Sequence, residues 1–367
     1  MAKRVIISVT NDLSNDQRVH RVATALMEMG FEVCLVGRLR RKSLPLVPRP
    51  YSTRRIRYLF ETGKLFYAAY AFRMFWWLLF QRADILLAND MDTLLPNFLV
   101  AKLRGKKLVY DSHEYWTEVP ELTDRPSTRA VWLKLEQWLF PRVDAAMTVN
   151  ESIAEIYSKL YNKKVHVVRN LPFTSVAANS PTKQEKLLIY QGALNIGRGI
   201  ELMIEAMRFL PDYQLVIAGF GSIEDPLRKL AAARPFAKQI RFTGFIHPED
   251  LKIETGKAAL GMSLEADKGA SYHFALPNKL FDYIQAGVPV LVSALPEMQR
   301  IVDTYRVGES LSPAERSPEQ LADRIKGICE NVDKYSAYLT NCQYAAKLLN
   351  WENEKTRLKE VFAGMAD

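Results

Sequence analysis

ALPNKLFDYIQAGVPVLVS, residues 275–293, joins a short amphipathic helix to an apolar strand through a Gly-Val-Pro turn. Pro277 suits a first helical position, where its missing N–H costs nothing. Leu280, Phe281 and Ile284 make one apolar side of the helix. The same alternation of helix and strand extends in both directions. In the first half strands are expected at RVIISVT, FEVCLVG, ADILLAND, KKLVYDS, DAAMTVN and KVHVVRN. In the second half they are expected at KLLIYQGAL, YQLVIAGFG, QIRFTGF, AALGMSLE and VPVLVSA, with helices over 200–209, 222–232, 278–285 and 318–331. Such alternation predicts an α/β chain with a doubly wound parallel sheet, here twice over. The expected domains are 1–172 and 173–349, with a polar linker in LPFTSVAANSPTKQEK (171–186) and a closing helix from about residue 350 to 367 that crosses back to the first domain. Ligands of such sheets lie beyond the carboxyl ends of the strands, so the expected site is a cleft between two facing sheets.

Composition narrows the class. At 367 residues, 48% hydrophobic and 25% charged, the chain reads as an ordinary globular protein. Three cysteines without metal-like spacing suit a reducing cytoplasm, and the apolar N-terminal run is too short for a signal-peptide core. The net charge of +9 is uneven: residues 1–172 carry 27 Lys+Arg against 17 Asp+Glu, and the rest balance almost to zero. Arg38–Arg57 holds eight basic residues and no acid, and a strongly aromatic stretch follows to residue 82. A basic run beside such a segment points to an anionic membrane surface; a buried helix next to a solvated basic loop explains it equally. The apolar run Ala68–Phe80 is too short to span a bilayer. No recognition motif accompanies the charge, which argues against nucleic acid.

Chemistry concentrates at a few strand ends. The free N–H groups of Asn278, Lys279 and Leu280 and the positive end of their helix make an anion site, to which Lys279 adds a full charge. Asp282, three residues on, either accepts hydroxyls such as those of a ribose or forms a surface ion pair with Lys279. YQGALNIGRGI (190–200) places Arg198 between Gly197 and Gly199 after a strand that ends in Gly192, a second place where a phosphate can be approached closely. AGFGSIED (218–225) gives a third strand–glycine–helix turn, with Gly221 and a cap candidate in Ser222, or a merely structural turn. VYDSHEYW (109–116) ends a strand with Asp111, His113 and Glu114; His113 is either a donor to a sugar hydroxyl or structural. In DILLANDMD (84–92), Asp90 and Asp92 match the spacing of a divalent-cation motif, with Asp92 as a helix cap the competing reading.

Together these stretches resemble the family 4 glycosyltransferases over nearly the whole length. NDQRVHRVATALMEMGFEVCLVG is similar to the family's first loop and helix, VYDSHEYW to its acceptor-side histidine segment, and LPNKLFDYIQAGVPVLVS is the most specific match. The resemblance implies the GT-B fold and transfer of a sugar, with retention, from a nucleotide-diphosphate sugar to a glycan or lipid-linked acceptor. It implies no metal or other cofactor. The basic, aromatic residues 38–82 then have a use, to hold a cytoplasmic enzyme at the inner membrane face beside a lipid-linked acceptor. Arg198 and Lys279 would neutralise the diphosphate and His113 would complete the catalytic set. Gly192, Gly199, Gly221, Phe245, Ile246, Glu265, Asn278, Leu280 and Asp282 would contact the donor; Asp16, Arg18, His113 and Glu114 would face the acceptor. Two positions depart from the family's pattern: Ala193 stands where a basic residue is usual, and Phe274 where a glutamate is. A sugar-nucleotide 2-epimerase shares the two-domain plan, and a nucleotide-binding protein without turnover is the remaining alternative.

Overall fold

The computed structural model describes residues 2–14, 16–119, 122, 125–174, 183 and 185–365. Residues 175–182 and 184 of the expected linker lie outside the described residues. The chain divides into two units, Met1–Asn170 with Glu354–Asp367, and Leu171–Asn353.

The first unit is built on strands β1 (Arg4–Ser8), β2 (Glu32–Leu39), β3 (Ser52–Arg57), β4 (Ile85–Asn89), β5 (Lys107–Ser112), β6 (Ala145–Thr148) and β7 (Val165–Val167). They pair in the order β3-β2-β1-β4-β5-β6-β7, every ladder parallel. β4 is buried at all five positions and β1 at four of five, as expected where helices cover both faces. β3 lies inside the basic run Arg38–Arg57, so the solvated loop of the second reading is in part a strand. Its residues carry the alternation poorly, because it is an edge strand with Arg54 and Arg57 exposed and only Ile56 buried. Edge charges of this kind also discourage pairing with another chain.

The helix Gly63–Leu79 occupies most of the aromatic stretch. Phe66, Tyr70, Met74 and Leu78, one per helical turn, are buried. On other faces Leu65, Phe72 and Trp76, and Phe80 just beyond the helix, are 46–77% exposed. Among the described residues no helix is long and apolar enough to cross a membrane.

The second unit holds β8 (Leu187–Gln191), β9 (Gln214–Ala218), β10 (Ile240–Gly244), β11 (Leu260–Ser263), β12 (Val290–Ser293) and β13 (Gly308–Leu311) in the order β10-β9-β8-β11-β12-β13, again all parallel. Strand alternation sends Leu188 and Tyr190 into one core and Leu187 and Ile189 into the other. β13 had no apolar run to announce it, its sequence being Gly-Glu-Ser-Leu.

Both sheets therefore wind outward from their first strand and reverse between that strand and the fourth, at β1/β4 and at β8/β11. In doubly wound sheets this reversal leaves a crevice at the carboxyl ends, where ligands sit.

Three helix starts differ from expectation. Pro277 is the cap of the helix Asn278–Gln285, extended at ψ 138°, and not its first residue. Asp92 is no cap: the helix Met91–Arg104 begins before it, and the cap position is Asp90. Ser222 makes no cap bond to the helix Glu224–Ala232; its N–H and hydroxyl donate to Asn195 Oδ1 at 3.2 and 3.1 Å. The last helix, Trp351–Val361, returns to the first unit, where the buried Glu354 accepts from the Arg169 N–H (2.8 Å), Nε (3.1 Å) and Nη2 (2.7 Å).

Candidate active site

In the second unit the β8/β11 reversal is occupied by a buried charge cluster. β11 ends at Ser263, and two residues later the Glu265 carboxylate, fully buried, faces two cations. Lys279 Nζ donates to Oε1 at 2.9 Å and Arg198 Nη1 lies 3.5 Å from the same oxygen. The Ser263 hydroxyl donates to Oε2 at 2.7 Å. Burial alone would raise the Glu265 pKa; Lys279, Ser263 and Arg198 outweigh it and hold the carboxyl below its ordinary value. Each cation also has an aromatic face: Lys279 Nζ stands 4.1 Å from the Tyr190 ring centroid and the Arg198 guanidinium 5.1 Å from that of Tyr272.

Glycine permits this approach. Gly199 has φ +73°, and a Cβ there would fall 2.2 Å from the Leu264 carbonyl oxygen, so no other residue lets the Arg198 loop lie against the Glu265 segment. From the other side Arg316 clamps the same segment. Its Nη2 donates to Leu264 O at 2.7 Å, and its Nη1 to Ser293 Oγ at 2.7 Å and Glu265 O at 3.3 Å. Arg316 was missed in the sequence, where nothing around it marks a site.

Lys279 is 8% exposed and turned towards Glu265, so the surface pair with Asp282 does not form. Asp282 instead accepts from Gln191 Nε2 at 3.0 Å, while Thr255 donates to Gln191 Oε1 at 2.6 Å. Leu280 is buried in the core and Asn278 is exposed at the first helical position. Gly192 follows β8, with Lys279 Cε 3.4 Å from where its Cβ would be, and Gly221 stands in the turn after β9. Phe245 and Ile246 follow β10, the first exposed and the second half-buried. Phe274 is half-buried against the His273 ring, and the Ala193 carbonyl accepts the Tyr190 hydroxyl at 2.7 Å.

The first unit gathers polar groups at its own reversal. Arg18 in the helix Gln17–Glu28 is 4% exposed and forks onto the fully buried Asp111 at the end of β5, through Nε at 3.0 Å and Nη2 at 2.6 Å. Its third nitrogen donates to Val168 O at 2.7 Å, so the guanidinium is occupied as a strut. Asp16 caps this helix, accepting the Val19 N–H at 3.0 Å. The His113 ring lies between carboxylates, with Nδ1 3.3 Å from Asp90 Oδ2 and Nε2 3.3 Å from Asp111 Oδ2. The His113 backbone N–H donates to Asp90 Oδ1 at 2.9 Å. Burial would lower the His113 pKa; Asp90 and Asp111 overcome it and raise it to about 9. Asp90 is held at φ +58°, a strained region for a non-glycine residue. Asp92 turns to a different partner, the Thr10 hydroxyl at 2.7 Å. Glu114 is exposed beside this cluster. Among the described residues no group of three or more His, Cys, Asp or Glu is placed to hold a metal ion.

Comparison with known proteins assigns both units. Residues 16–171 match the model of Glycosyltransferase Family 4 and residues 174–347 that of Glycosyl transferases group 1. The chain belongs to the family 4 glycosyltransferases. Solved structures similar to this glycosyltransferase have the same GT-B fold at low identity. Sucrose-phosphate synthase from Thermosynechococcus elongatus superimposes with a TM-score of 0.79 at 17% identity, covering 99% of each chain. Anabaena HepE in complex with UDP and glucose gives 0.76 at 12%, covering 99% of this chain and 100% of its own. WaaG, a glycosyltransferase involved in lipopolysaccharide biosynthesis, gives 0.71 at 14%, covering 97% and 99%. No curated protein sequence matches the chain.

The histidine of this glycosyltransferase carries a pH signature. A pKa raised from 6.5 to about 9 contributes stability that is complete below the unfolded value and is lost as pH rises through the folded one. The expected loss between about pH 6 and about pH 10 is up to roughly 3 kcal/mol. Urea unfolding of the wild type and of His113→Gln at both pH values checks it: equal losses in the two proteins would place the effect elsewhere.

Proposed function

We propose that the glycosyltransferase moves a sugar from a nucleotide-diphosphate-sugar donor, with retention and without a metal, to a glycan or lipid-linked acceptor. The setting we propose is cell-surface polysaccharide assembly of lipopolysaccharide or capsule type. The observation that carries the donor assignment is the convergence of Lys279 and Arg198 on one buried carboxylate at the β8/β11 reversal. A diphosphate arriving there meets two cations already held in place and the free N–H groups of the helix Asn278–Gln285. Asp282, steadied by Gln191, accepts ribose hydroxyls. The UDP and glucose bound by HepE support a nucleotide sugar as donor, and the role of WaaG supports the pathway.

Glu265 is fully buried and held by Lys279, Arg198 and Ser263, which argues against it as a nucleophile and favours departure on the front face. The bond from the anomeric carbon to the diphosphate oxygen breaks, the acceptor oxygen bonds to that carbon on the same face, and the acceptor proton leaves on the diphosphate. Lys279 and Arg198 stabilise the growing negative charge. On the acceptor side His113 acts through its charge: its two ring nitrogens already face Asp90 and Asp111, so it positions those carboxylates and leaves the acceptor hydroxyl to other donors.

The test is turnover of UDP-, GDP- and ADP-sugars in excess EDTA with glycan and lipid-linked acceptors, the product anomer read by NMR. A retained product is expected. Isomerisation of the donor without acceptor would instead identify an epimerase, and nucleotide binding without transfer or hydrolysis a non-catalytic protein. Loss of activity in EDTA with recovery on manganese would restore the Asp90/Asp92 metal reading.

For the membrane, the support is the exposed set Leu65, Phe72, Trp76 and Phe80 beside the arginines of β3. Such a surface takes anionic lipid by inserting aromatic rings under a cationic rim, which would hold the enzyme at the inner face of the cytoplasmic membrane. The chain should sediment with anionic vesicles and be released by salt; binding indifferent to both lipid charge and salt counts against it.

A further inference from the structure

The segment Ser112–Glu118, which carries His113 and Glu114, is tied at both ends to one helix of the first unit. On Pro126–Leu139, Arg129 and Glu136 stand seven residues apart, two turns along the same face. Arg129 grips the far end of the segment: its Nε donates to Thr117 O at 3.0 Å and its Nη2 pairs with Glu118. Glu136 reaches the near end through an intermediary. It is fully buried and accepts two phenol hydrogens, from Tyr161 at 2.6 Å and from Tyr157 at 3.3 Å.

Tyr157 passes the hold on. Its hydroxyl oxygen also accepts the Trp116 backbone N–H and lies 3.5 Å from Ser112 Oγ. The Ser112 hydroxyl in turn donates to Glu114 O at 2.8 Å, bridging over the histidine between them. A phenol has one hydrogen to give, and an ionised carboxylate can only accept. Glu136 takes that hydrogen and so leaves the oxygen's lone pairs to the Trp116 N–H. The ring itself is fully buried, 4.8 Å from the Phe140 centroid and edge-on to Tyr115 at 5.6 Å.

A carboxylate is a costly way to fill this place. Burial raises the Glu136 pKa to about 7 against the pull of the Tyr161 and Tyr157 hydroxyls. An apolar side chain of similar volume beside the two tyrosines would escape that cost. It would also leave the Tyr157 hydrogen free to turn towards Ser112, and the segment would lose its fixed acceptor at Trp116.

We infer that Glu136 is a positioning residue: acting through Tyr157, it fixes where the Ser112–Trp116 segment places His113 and Glu114, and so governs use of the acceptor and not of the donor. This rests on the acceptor assignment of that segment. The test uses the full chain at pH 8, as wild type, Glu136→Gln, Tyr157→Phe and Tyr161→Phe. Tyr157→Phe breaks the link and keeps the ring, whereas Tyr161→Phe removes the other bond to the same carboxylate. Amide hydrogen exchange reads the segment without any substrate, and initial rates with the acceptor that wild type glycosylates best read the consequence. Tyr157→Phe should speed exchange over residues 112–118 and raise the acceptor KM about tenfold, with the donor KM within about twofold of wild type. Glu136→Gln, which keeps one accepting oxygen, should fall between the two. Tyr161→Phe should leave exchange and both KM values near wild type. Equal changes in Tyr157→Phe and Tyr161→Phe overturn the inference, because the carboxylate would then serve packing alone. Unchanged exchange in Tyr157→Phe also overturns it and leaves the acceptor assignment standing. Faster exchange with an unchanged acceptor KM, or a wild type that transfers to no acceptor, removes that assignment and the inference with it.

Discussion

Lys279→Ala is expected to lower kcat/KM by about a hundredfold or more, the usual result of removing one preorganised charge from a developing anion. The argument is geometric. The ammonium is 8% exposed, fixed between the Glu265 carboxylate at 2.9 Å and the Tyr190 ring at 4.1 Å, so little reorganisation is needed when the diphosphate gains charge. Its removal also unbalances the cluster, since Glu265 keeps the Ser263 hydroxyl and, as counter-charge, Arg198 at 3.5 Å, and repels a phosphate more. Lys279→Arg separates charge from shape: it keeps the cation but needs room that the buried site lacks, and should recover only part of the activity. Steady-state kinetics, with thermal unfolding as a control for folding, checks this. Near-wild-type turnover in Lys279→Ala would remove the diphosphate role from the helix Asn278–Gln285.

The largest effect on stability is expected at Asp111. Asp111→Ala should destabilise the first unit by about 3–5 kcal/mol, because it leaves the Arg18 guanidinium buried without a counter-charge. Asp111 is fully buried and Arg18 4% exposed; the carboxyl is drawn down to about 2, where Arg18 and His113 outweigh burial. Replacing both partners with apolar residues, Arg18→Met with Asp111→Leu, should restore much of the loss. Tryptophan fluorescence during urea unfolding reports on the right region, since Trp76, Trp77, Trp116, Trp132 and Trp138 all belong to the first unit. A loss below about 1 kcal/mol would mean that water reaches the guanidinium once Asp111 is gone.

These two sites show what the sequence makes legible. Apolar strands bounded by glycine turns identify both parallel sheets, because full burial leaves no polar alternation to confuse with helix. The exceptions are the strands at sheet edges, β3 with its arginines and β13 with its glutamate and serine, where burial is incomplete and the pattern fades. At the site, Lys279 and Arg198 could be named from their loops, since cations next to glycines at strand ends have a direct electrostatic use. Whom they pair with could not. Helical spacing allows Asp282 as a partner of Lys279, but the helix turns Lys279 inward to Glu265, fourteen positions away, and Asp282 towards Gln191. Arg18 has the composition of a binding residue and the placement of a strut. Arg316 acts on backbone carbonyls, which carry no residue signature at all.

The return of the last helix to the first unit has a consequence for biosynthesis. Residues 171–353 form one unbroken segment and can collapse as soon as they leave the ribosome. The first unit cannot finish. Arg169 waits for Glu354, and Glu28 for Lys355, through nearly two hundred intervening residues in the first case and more than three hundred in the second. The segment made first is therefore completed last, once Glu354 and Lys355 have been synthesised.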